Sequence, residues 1–404
     1  MARTFDIPEF YRSPIVRTVK NSQQILDPKK KNLEPSLLDF GPVRIYIPRH
    51  FGFCYGVENA IDIAYRTVEQ NPDQDVYLLS EMIHNQAVNN DLRNRGVQFL
   101  FETDGTERIP IDSLTEDDIV IVPAFGTTVE IQEKLREKNI DPTQYDTTCP
   151  FVEKVWRRGS QLSDKGYALV IHGKHTHEET RATFSQTAQH SPAVVVLNPS
   201  EAQILGEIMQ EKRPLSDFDE YFGHKSTEGF NPLEDLEYFG VINQTTMLAN
   251  ETKKVMNILK EAAKSRYGEA NIEQHFADTS DTLCYATNEN QSATYALAEK
   301  DLDMTLVVGG YNSSNTMHIV EILEHDFPTY HVKSADEIES EKFIKHFNQW
   351  EKKLEKTENW IPDYDDPLTV GVTSGASCPD VLVDDVILKL VDMFDNTKSV
   401  EEVL

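Results

Sequence analysis

YALVIHGKHTHEETRATFSQTA, residues 167–188, contains the pattern from which the fold class of this chain can be read. The segment opens with an apolar run of strand length that ends at a glycine and a polar turn, and a helical pattern follows directly. Near-continuous apolar strands are typical of parallel sheets that helices bury on both faces. The segment therefore predicts one strand–turn–helix unit of an α/β protein.

The same pattern repeats from residue 42 onwards. Further apolar runs bounded by turn signals occupy 43–48, 76–80, 119–124, 193–198, 239–243, 304–310 and 368–373. Helical patterns lie between them, for example over 56–70, 130–138 and 250–266. Because strands that alternate with helices build parallel sheets, the fold class is α/β with mainly parallel sheets.

The composition of the 404 residues excludes several classes of function. Lys and Arg number 39 against 68 Asp and Glu, which gives a formal charge of −29. So acidic a chain is a poor candidate for binding nucleic acid or anionic membrane surfaces. No apolar run approaches the roughly 20 residues that span a bilayer, and the N-terminus lacks the apolar stretch of a secretory signal. We expect a cytoplasmic protein that binds neither nucleic acid nor membranes.

Three segments depart from the strand–helix pattern. Residues 1–41 show no sustained period, and we expect an N-terminal extension that lies along the body or is mobile. Residues 205–237 and 334–366 are rich in charged and aromatic residues. We interpret them as surface insertions, partly helical, that either supply partner or dimer contacts or have no role.

Four cysteines indicate how the chain is divided. Cys54, Cys149, Cys284 and Cys378 follow one another at intervals of 95, 135 and 94 residues, and each opens a helical pattern after a strand-like run. The middle interval falls to about 100 once the insertion at 205–237 is left out. This period predicts three similar α/β domains around a shared point. We place them at 42–147, 148–282 and 283–382, followed by a C-terminal helix or tail over 383–404.

The chemistry of the cysteines is open at this point. Four cysteines far apart are too few for a disulfide scaffold, and sparse cysteines in an intracellular chain more often mean metal binding or catalysis. Structural zinc usually draws cysteine pairs at close spacing, and no C-x-x-C occurs. Disulfides and zinc remain the alternatives to another metal centre.

Polar motifs follow the strands, where α/β proteins bind their ligands. The candidate residues are His84; His172, His175, His177, Glu178 and Glu179; Thr245 and Thr246; Ser313, Ser314 and Asn315; and Ser374 and Ser377. Glycines, amides and small hydroxyls ahead of a helix favour a phosphate or diphosphate, because backbone N–H groups and the helix dipole point at the anion. Taken singly, each is usually a helix N-cap. No Walker lysine loop or G-x-G-x-x-G turn occurs, so electrons for any redox chemistry would come from outside.

Eight ordered motifs resemble the LytB family, the 4-hydroxy-3-methylbut-2-enyl diphosphate reductases. They are RHFGFCYGVENAI, SEMIHNQAV, DTTCPFVEKV, IHGKHTHEET, INQTTM, DTLCYATNENQ, GGYNSSNT and VGVTSGAS. The resemblance covers roughly residues 42–382 without the two insertions. The long N-terminal extension and the motif PAFGTT are similar to the plant and cyanobacterial branch of the family.

The resemblance implies three α/β domains around a central [4Fe–4S] cluster. Its ligands would be Cys54, Cys149 and Cys284, which leaves one open iron for the hydroxyl of the substrate. Ferredoxin or flavodoxin would supply two electrons, and the products would be isopentenyl and dimethylallyl diphosphate, in the last step of the methylerythritol phosphate pathway. In a plant or alga the compartment would be the plastid stroma.

The resemblance also assigns roles to single residues. Glu179 would deliver a proton, with Glu178 as the competing candidate if the register shifts by one, and Thr245 would organise protons near the hydroxyl. The diphosphate would be bound by His84, His177, Ser313, Ser314, Asn315 and Ser377. Thr287 would lie near the cluster.

Two positions depart from the family's pattern. Phe125 in PAFGTT occupies the place of a second diphosphate histidine, so Thr127 or Thr128 would have to compensate. Cys378 stands where a small apolar residue would be ordinary. It is either a buried or half-buried thiol beside Ser377 or a fourth cluster ligand.

Two other functions remain as alternatives. A zinc hydrolase would use His172, His175 and His177 with Glu179 as the base. A non-catalytic iron–sulfur electron carrier or diphosphate sensor would need the cluster but neither Glu179 nor Thr245. Separately, a basic cluster either docks an acidic electron carrier or is an ordinary solvated helix face; its members are Lys154, Arg157, Arg158 and Lys165.

Overall fold

The computed structural model describes residues 5, 7–11, 13–29, 31–277, 279 and 282–404. Every apolar run predicted as a strand contains one. The strands, in chain order, are β1 (Ser36–Asp39), β2 (Val43–Ile47), β3 (Val76–Leu78), β4 (Gln98–Phe99), β5 (Ile119–Ile121), β6 (Ala168–His172), β7 (Ala193–Val196), β8 (Phe239–Asn243), β9 (Phe276–Ala277), β10 (Met304–Val308), β11 (Thr329–Val332), β12 (Phe343–Asn348), β13 (Lys353–Glu358) and β14 (Leu368–Ser374).

The helices alternate with these strands as the sequence predicts. They are α1 (Pro14–Leu26), α2 (Tyr55–Gln70), α3 (Gln86–Asn94), α4 (Val129–Glu137), α5 (Pro150–Ser163), α6 (Glu178–Ala188), α7 (Pro199–Met209), α8 (Ser216–Phe222), α9 (Ala249–Tyr267), α10 (Ile272–His275), α11 (Tyr285–Ala298), α12 (Ser314–Leu323), α13 (Asp380–Val391) and α14 (Val400–Val403). Within the described part of the chain, no helix is long and apolar enough to cross a membrane.

Contacts divide the chain into two compact units. The first unit comprises the described residues of Met1–Glu58, Ile83–Asn89 and Tyr285–Leu404. Its sheet has the order β1-β2-β14-β10-β11, in which only the β1–β2 pair is antiparallel. Strand β2 therefore pairs with a strand more than 300 residues further along the chain. The three domain boundaries given above stay a prediction.

The second unit comprises Asn59–Met82 and the described residues of Asn90–Cys284. It contains two parallel sheets, one with the order β4-β3-β5 and one with the order β7-β6-β8-β9. All five residues of β6 and all five of β8 are buried, as expected for strands covered by helices on both faces.

The N-terminal segment lies along the first unit. Helix α1 begins after Ser13, whose side chain accepts a hydrogen bond from the Val16 amide. The buried carboxylate of Asp384 in α13 accepts two further bonds, from the amides of Ile15 and Val16 at 2.9 Å each. These bonds satisfy donors that a helix start leaves open, and they anchor α1 on α13.

The two insertions differ from what the sequence predicts. Residues 205–237 are not a surface excursion, because Phe218, Phe222 and Leu236 are buried in the core of the second unit. Residues 334–366 are mainly the antiparallel hairpin β12–β13 rather than helical. Both insertions bury aromatic residues. In 334–366 this residue is Trp360, which is 1% exposed in the core of the first unit.

The strand register brings polar turns together at two places. In the second unit His172 at the end of β6 is level with Asn243 at the end of β8. In the first unit Val308 at the end of β10 is level with Ser374 at the end of β14. Residues that follow level strand ends emerge at the same side of a sheet, where α/β proteins bind ligands.

We name these two places by their strands. The β6/β8 edge comprises 173–179 and 244–246, and it leads into α6. The β10/β14 edge comprises 309–315 and 375–377, and it leads into α12 and α13.

Candidate functional site

A buried carboxylate pairs with a threonine at the β6/β8 edge. Glu179 is 1% exposed and Thr245 is 5% exposed. One carboxylate oxygen of Glu179 accepts the backbone N–H of Thr245 at 2.5 Å, and the other accepts the Thr245 hydroxyl at 3.0 Å. The two bonds fix the plane of the carboxylate and give its second oxygen a hydroxyl neighbour. Such a pair can hold and pass a proton.

Gln244 braces this edge from beneath. Its side-chain oxygen accepts the Lys174 amide at 3.2 Å and the Thr180 hydroxyl at 3.0 Å, and its backbone N–H donates to the His172 carbonyl. A Cβ on Gly173 would lie 2.7 Å from the Thr180 hydroxyl, so only glycine permits this packing. The motif NQTT therefore contributes a bracing amide that the sequence did not single out. The only sequence feature that pointed to Gln244 was its position between Asn243 and Thr245 in this motif.

His177 forms the N-cap of α6. Its Nδ1 accepts the Glu179 amide at 3.2 Å, so that the proton of the neutral imidazole is on Nε2. The ring of Phe125 lies edge-on to it, with centroids 5.5 Å apart. Phe125, which we predicted to stand in the place of a second histidine, thus packs against His177.

Glu178 and Glu179 have different surroundings. Glu178 lines a cavity of about 90 Å³ together with Ser80, Thr127, Thr128 and Arg181. Thr128 also caps α4, since its hydroxyl accepts the Ile131 amide at 3.4 Å. The two neighbouring carboxylates therefore serve two places, and only Glu179 pairs with Thr245. The two threonines suggested as substitutes for a histidine lie with Glu178.

The imidazoles proposed for a zinc site point in different directions. His172 is fully buried and its Nδ1 lies 3.0 Å from the Thr252 hydroxyl. His175 meets His224 edge-on at 5.1 Å, and burial, His224 and Lys225 lower its pKa below the ordinary value. His177 caps α6. The zinc-hydrolase alternative has no shared ligand position among these rings.

The β10/β14 edge gathers neutral donors and acceptors. Ser377 Oγ lies 3.4 Å from Ser313 Oγ and donates to the His84 carbonyl at 3.2 Å. Ser313 is the N-cap of α12, and Ser314 is its first residue. The segments 309–315 and 375–377 contain no carboxylate or basic side chain. Helix start, hydroxyls and amides together suit an anion.

Ala376 joins this edge to a cysteine. Its N–H donates to the Asn315 side-chain oxygen at 2.8 Å, and its carbonyl accepts the backbone N–H of Cys54 at 3.2 Å. The structure therefore brings together, within the first unit, five of the predicted diphosphate residues and one predicted cluster ligand, Cys54. The five are His84, Ser313, Ser314, Asn315 and Ser377.

The three predicted ligand cysteines occupy like positions in the chain. Cys54 and Cys284 directly precede α2 and α11, and Cys149 is the N-cap residue of α5, with Pro150 next to it. Cys54 and Cys149 are half-buried and Cys284 is buried, and all are thiols. A helix N-terminus stabilises a thiolate. Thiolates are the donors that iron–sulfur clusters use, so the donor chemistry fits such a cluster.

The side chains of the described residues do not form a ready-made metal site. Among the residues that the structure describes, no three His, Cys, Asp or Glu side chains are grouped so that they could hold a metal ion. Cys378 is different from the other three cysteines, because it is fully buried in the core of the first unit and burial raises the pKa of its thiol. Its surroundings are those of a core residue rather than a cluster ligand.

Fold and edges define an α/β protein with a buried carboxylate–threonine pair at one sheet edge and a hydroxyl-rich helix start, which suits an anion, at another. The chain belongs to the LytB family: the model described as LytB protein matches residues 45–391. A curated relative from Gloeobacter violaceus, named 4-hydroxy-3-methylbut-2-enyl diphosphate reductase, is 40% identical over 356 residues, which cover 87% of this chain and 84% of the relative. A relative of the same name from Synechocystis is 37% identical over 93% of this chain and 96% of its own length.

Solved structures agree with the family and the fold. One is titled as (E)-4-hydroxy-3-methyl-but-2-enyl diphosphate reductase, the terminal enzyme of the non-mevalonate pathway. It is 26% identical, has a TM-score of 0.51, and covers 86% of this chain and 99% of its own. A reductase from Plasmodium falciparum shares the fold at 20% identity, with a TM-score of 0.60 over 85% of this chain and 86% of its own. The family resemblance and the α/β fold class are confirmed.

Proposed function

We infer that this chain removes the hydroxyl group of (E)-4-hydroxy-3-methylbut-2-enyl diphosphate reductively, which yields isopentenyl and dimethylallyl diphosphate. The inference rests on the family and on one observation above all, the buried Glu179–Thr245 pair. A buried carboxylate with a hydroxyl partner at the ligand-binding side of a sheet is placed to hold and pass a proton. The reaction consumes two electrons and two protons, releases the hydroxyl as water, and places the second proton on carbon.

Glu179 supplies the proton for the leaving oxygen in this proposal. A hydroxyl group is a poor leaving group, and protonating the oxygen as the C–O bond breaks makes the departing species water. Thr245 keeps the carboxylate in one orientation and lends a hydroxyl that can donate and accept at once. His177 presents its Nε2–H to the diphosphate.

The diphosphate is bound by neutral donors at the β10/β14 edge. Ser313, Ser314, Asn315 and Ser377 provide hydroxyl and amide groups at the start of α12, and His84 adds an imidazole. Hydrogen bonds to a charged group are about twice as strong as those between neutral groups. The edge can therefore hold the anion without a lysine or arginine.

Cys54, Cys149 and Cys284 would hold a [4Fe–4S] cluster with one iron free of protein ligands. When bound, such a cluster supplies electrons and a Lewis-acidic position for a hydroxyl. The chain itself supplies thiolates that helix starts stabilise. We assign Cys378 no part in it.

Electrons would come from ferredoxin or flavodoxin, in the cytoplasm or the plastid stroma. The basic cluster on and after α5 is the docking candidate: Lys154, Arg157 and Lys165 are exposed, Arg158 is half-buried, and Arg157 also pairs with Glu153 at 3.5 Å. Charge reversal at Lys154 and Lys165 should slow turnover with the protein donor and spare turnover with a small chemical reductant. Equal slowing in both assays would remove the docking role.

Anaerobic purification followed by two measurements tests the proposed function. We expect a brown protein with about four irons and four sulfides per chain that converts the substrate to both five-carbon diphosphates under a chemical reductant. A clustered protein without turnover would indicate an electron carrier or diphosphate sensor. A colourless protein with bound zinc and hydrolytic activity would indicate the hydrolase.

A further inference from the structure

His331 is a buried imidazole next to the β10/β14 edge that no role above uses. It lies in β11, is 1% exposed, and its Nε2 is 3.1 Å from the Gly309 carbonyl oxygen. A carbonyl only accepts, so Nε2 carries the proton and donates. Burial lowers the pKa of His331 to about 4, which keeps the ring neutral at physiological pH. Its Nδ1 has no hydrogen-bond partner among the described residues.

Gly309, whose carbonyl accepts the hydrogen bond from His331, is the first residue of the loop 309–315. The Gly309 amide donates to the Val332 carbonyl at 2.9 Å, so β11 holds Gly309 through both its N–H and its carbonyl group. On the other side, a Cβ on Gly310 would lie 2.3 Å from the His84 carbonyl oxygen. The loop is therefore fixed between β11 and the backbone of His84, which Ser377 also contacts.

Tyr311 fixes the next position of the loop. Its ring lies edge-on to His331 at 5.1 Å and stacks on Phe347 of the β12–β13 hairpin at 4.7 Å, with an angle of 15° between the planes. Its hydroxyl donates to the Glu337 carboxylate. Phe347 and Glu337 both belong to the segment 334–366. This insertion thus supports the loop, and it is not a surface addition without a role.

We propose that His331 and Tyr311 are positioning residues for diphosphate binding, which hold the loop 309–315 so that Ser313, Ser314 and Asn315 face the anion. This inference rests on the proposed function. Neither side chain would touch the diphosphate. Their effect follows because hydrogen bonds to an anion weaken steeply when the donors shift from the productive direction.

Titration calorimetry with inorganic diphosphate tests the inference on the full chain with its iron–sulfur content restored. His331→Leu removes the donor at similar volume, and we expect about tenfold weaker binding. The KM for the substrate should rise by the same factor, while kcat and iron per chain should stay unchanged. His331→Gln restores a donor and should recover most of the affinity.

A matched control is His346→Leu. His346 is a half-buried histidine of the insertion 334–366, bonded to the Thr357 hydroxyl at 2.8 Å and packed on Tyr330 rather than on the loop. It should bind diphosphate like the wild type.

Wild-type affinity in His331→Leu would overturn the inference while leaving the proposed function intact. Absence of diphosphate binding in the wild type would instead overturn the proposed function, and the inference with it. If His331→Leu does not fold, Tyr311→Phe decides: about threefold weaker binding supports the inference, and unchanged binding refutes it.

Discussion

The β6/β8 edge and the β10/β14 edge are built alike and equipped differently. In each, two parallel strands end level and the chain passes through a glycine-containing turn into a helix. The β6/β8 edge carries ionisable groups, among them the Glu179 carboxylate and the His177 imidazole. The β10/β14 edge carries only serines, asparagines, a tyrosine, glycines and an alanine.

This difference teaches where the two halves of the chemistry come from. A buried carboxylate with a hydroxyl partner handles protons, whereas a helix start with hydroxyl groups binds an anion without titrating. In our proposal the β6/β8 edge contributes the proton donor and one neutral imidazole, His177, and the β10/β14 edge contributes the hydroxyl and amide donors for the anion.

The largest effect should come from the cysteines. Cys54→Ser, Cys149→Ser and Cys284→Ser should each lose the cluster and all turnover, because serine oxygen is a harder and poorer ligand for iron than a thiolate. Cys378→Ala is the matched control, since it removes a core thiol and should keep both. Iron per chain and reductase rate for the four variants are the measurement. Loss of iron in Cys378→Ala would give that cysteine the role we deny it.

The next largest effect separates the two neighbouring carboxylates. Glu179→Gln keeps size and hydrogen bonding but cannot deliver a proton, so the rate at saturating substrate should fall by at least about 10²-fold. Iron per chain should stay normal. Glu178→Gln alters only the small cavity beside Arg181 and should have a mild effect. An inactive Glu178→Gln beside an active Glu179→Gln would show that the register is shifted by one.

A smaller effect on the kinetics is expected at the β10/β14 edge. Ser313→Ala removes one hydroxyl from the anion site, and a hydrogen bond to a charged group contributes roughly 1.5–3 kcal/mol. The KM of the substrate should therefore rise at least about tenfold, with kcat within a factor of two. Steady-state kinetics with a chemical reductant measure it. A fall in kcat at constant KM would assign Ser313 to the chemistry instead.

The smallest effect would blur the difference between the edges. Phe125→His places an imidazole donor beside His177, at the position where the resemblance to the family predicts a second histidine. We expect diphosphate to bind about threefold more tightly, since the new donor is half-buried and competes with water. Inhibition by inorganic diphosphate measures the change, with Phe125→Leu as the control for loss of the ring contact. Equal inhibition constants would mean that the position no longer faces the anion.

The sequence predicted the buried strands because they are continuous apolar runs. It did not predict β1, β4, β9 and β11 to β13. Strands β4 and β9 have only two residues each, and β13 is a polar strand without a buried residue. It also missed α1, although its buried Ile15, Val16 and Val19 recur at helical spacing. The pairing of β2 with β14 was missed because pairing across so many residues has no local signal. The insertions were misjudged because their few buried aromatic residues lie among many charged ones.

The sequence predicts which candidate residues lie close together only where they belong to motifs that follow strands. Level strand ends explain why Glu179 meets Thr245 and why Ser313 meets Ser377. Gln244 and His331 were not predicted, since a single buried polar residue gives no pattern in a sequence. Only the structure shows that Gln244 braces the β6/β8 edge and that His331 holds the loop 309–315 of the β10/β14 edge.

The division of labour between the edges is tested most directly by the affinity of inorganic diphosphate for two variants, measured side by side by calorimetry. Glu179→Gln should bind it like the wild type, because its defect lies in proton delivery alone. Ser377→Ala should bind it about tenfold more weakly, through loss of a hydrogen bond to the anion. A loss of affinity in Glu179→Gln, with Ser377→Ala unchanged, would contradict the assignment of hydroxyl donors for the anion to the β10/β14 edge and of proton delivery to Glu179 at the β6/β8 edge.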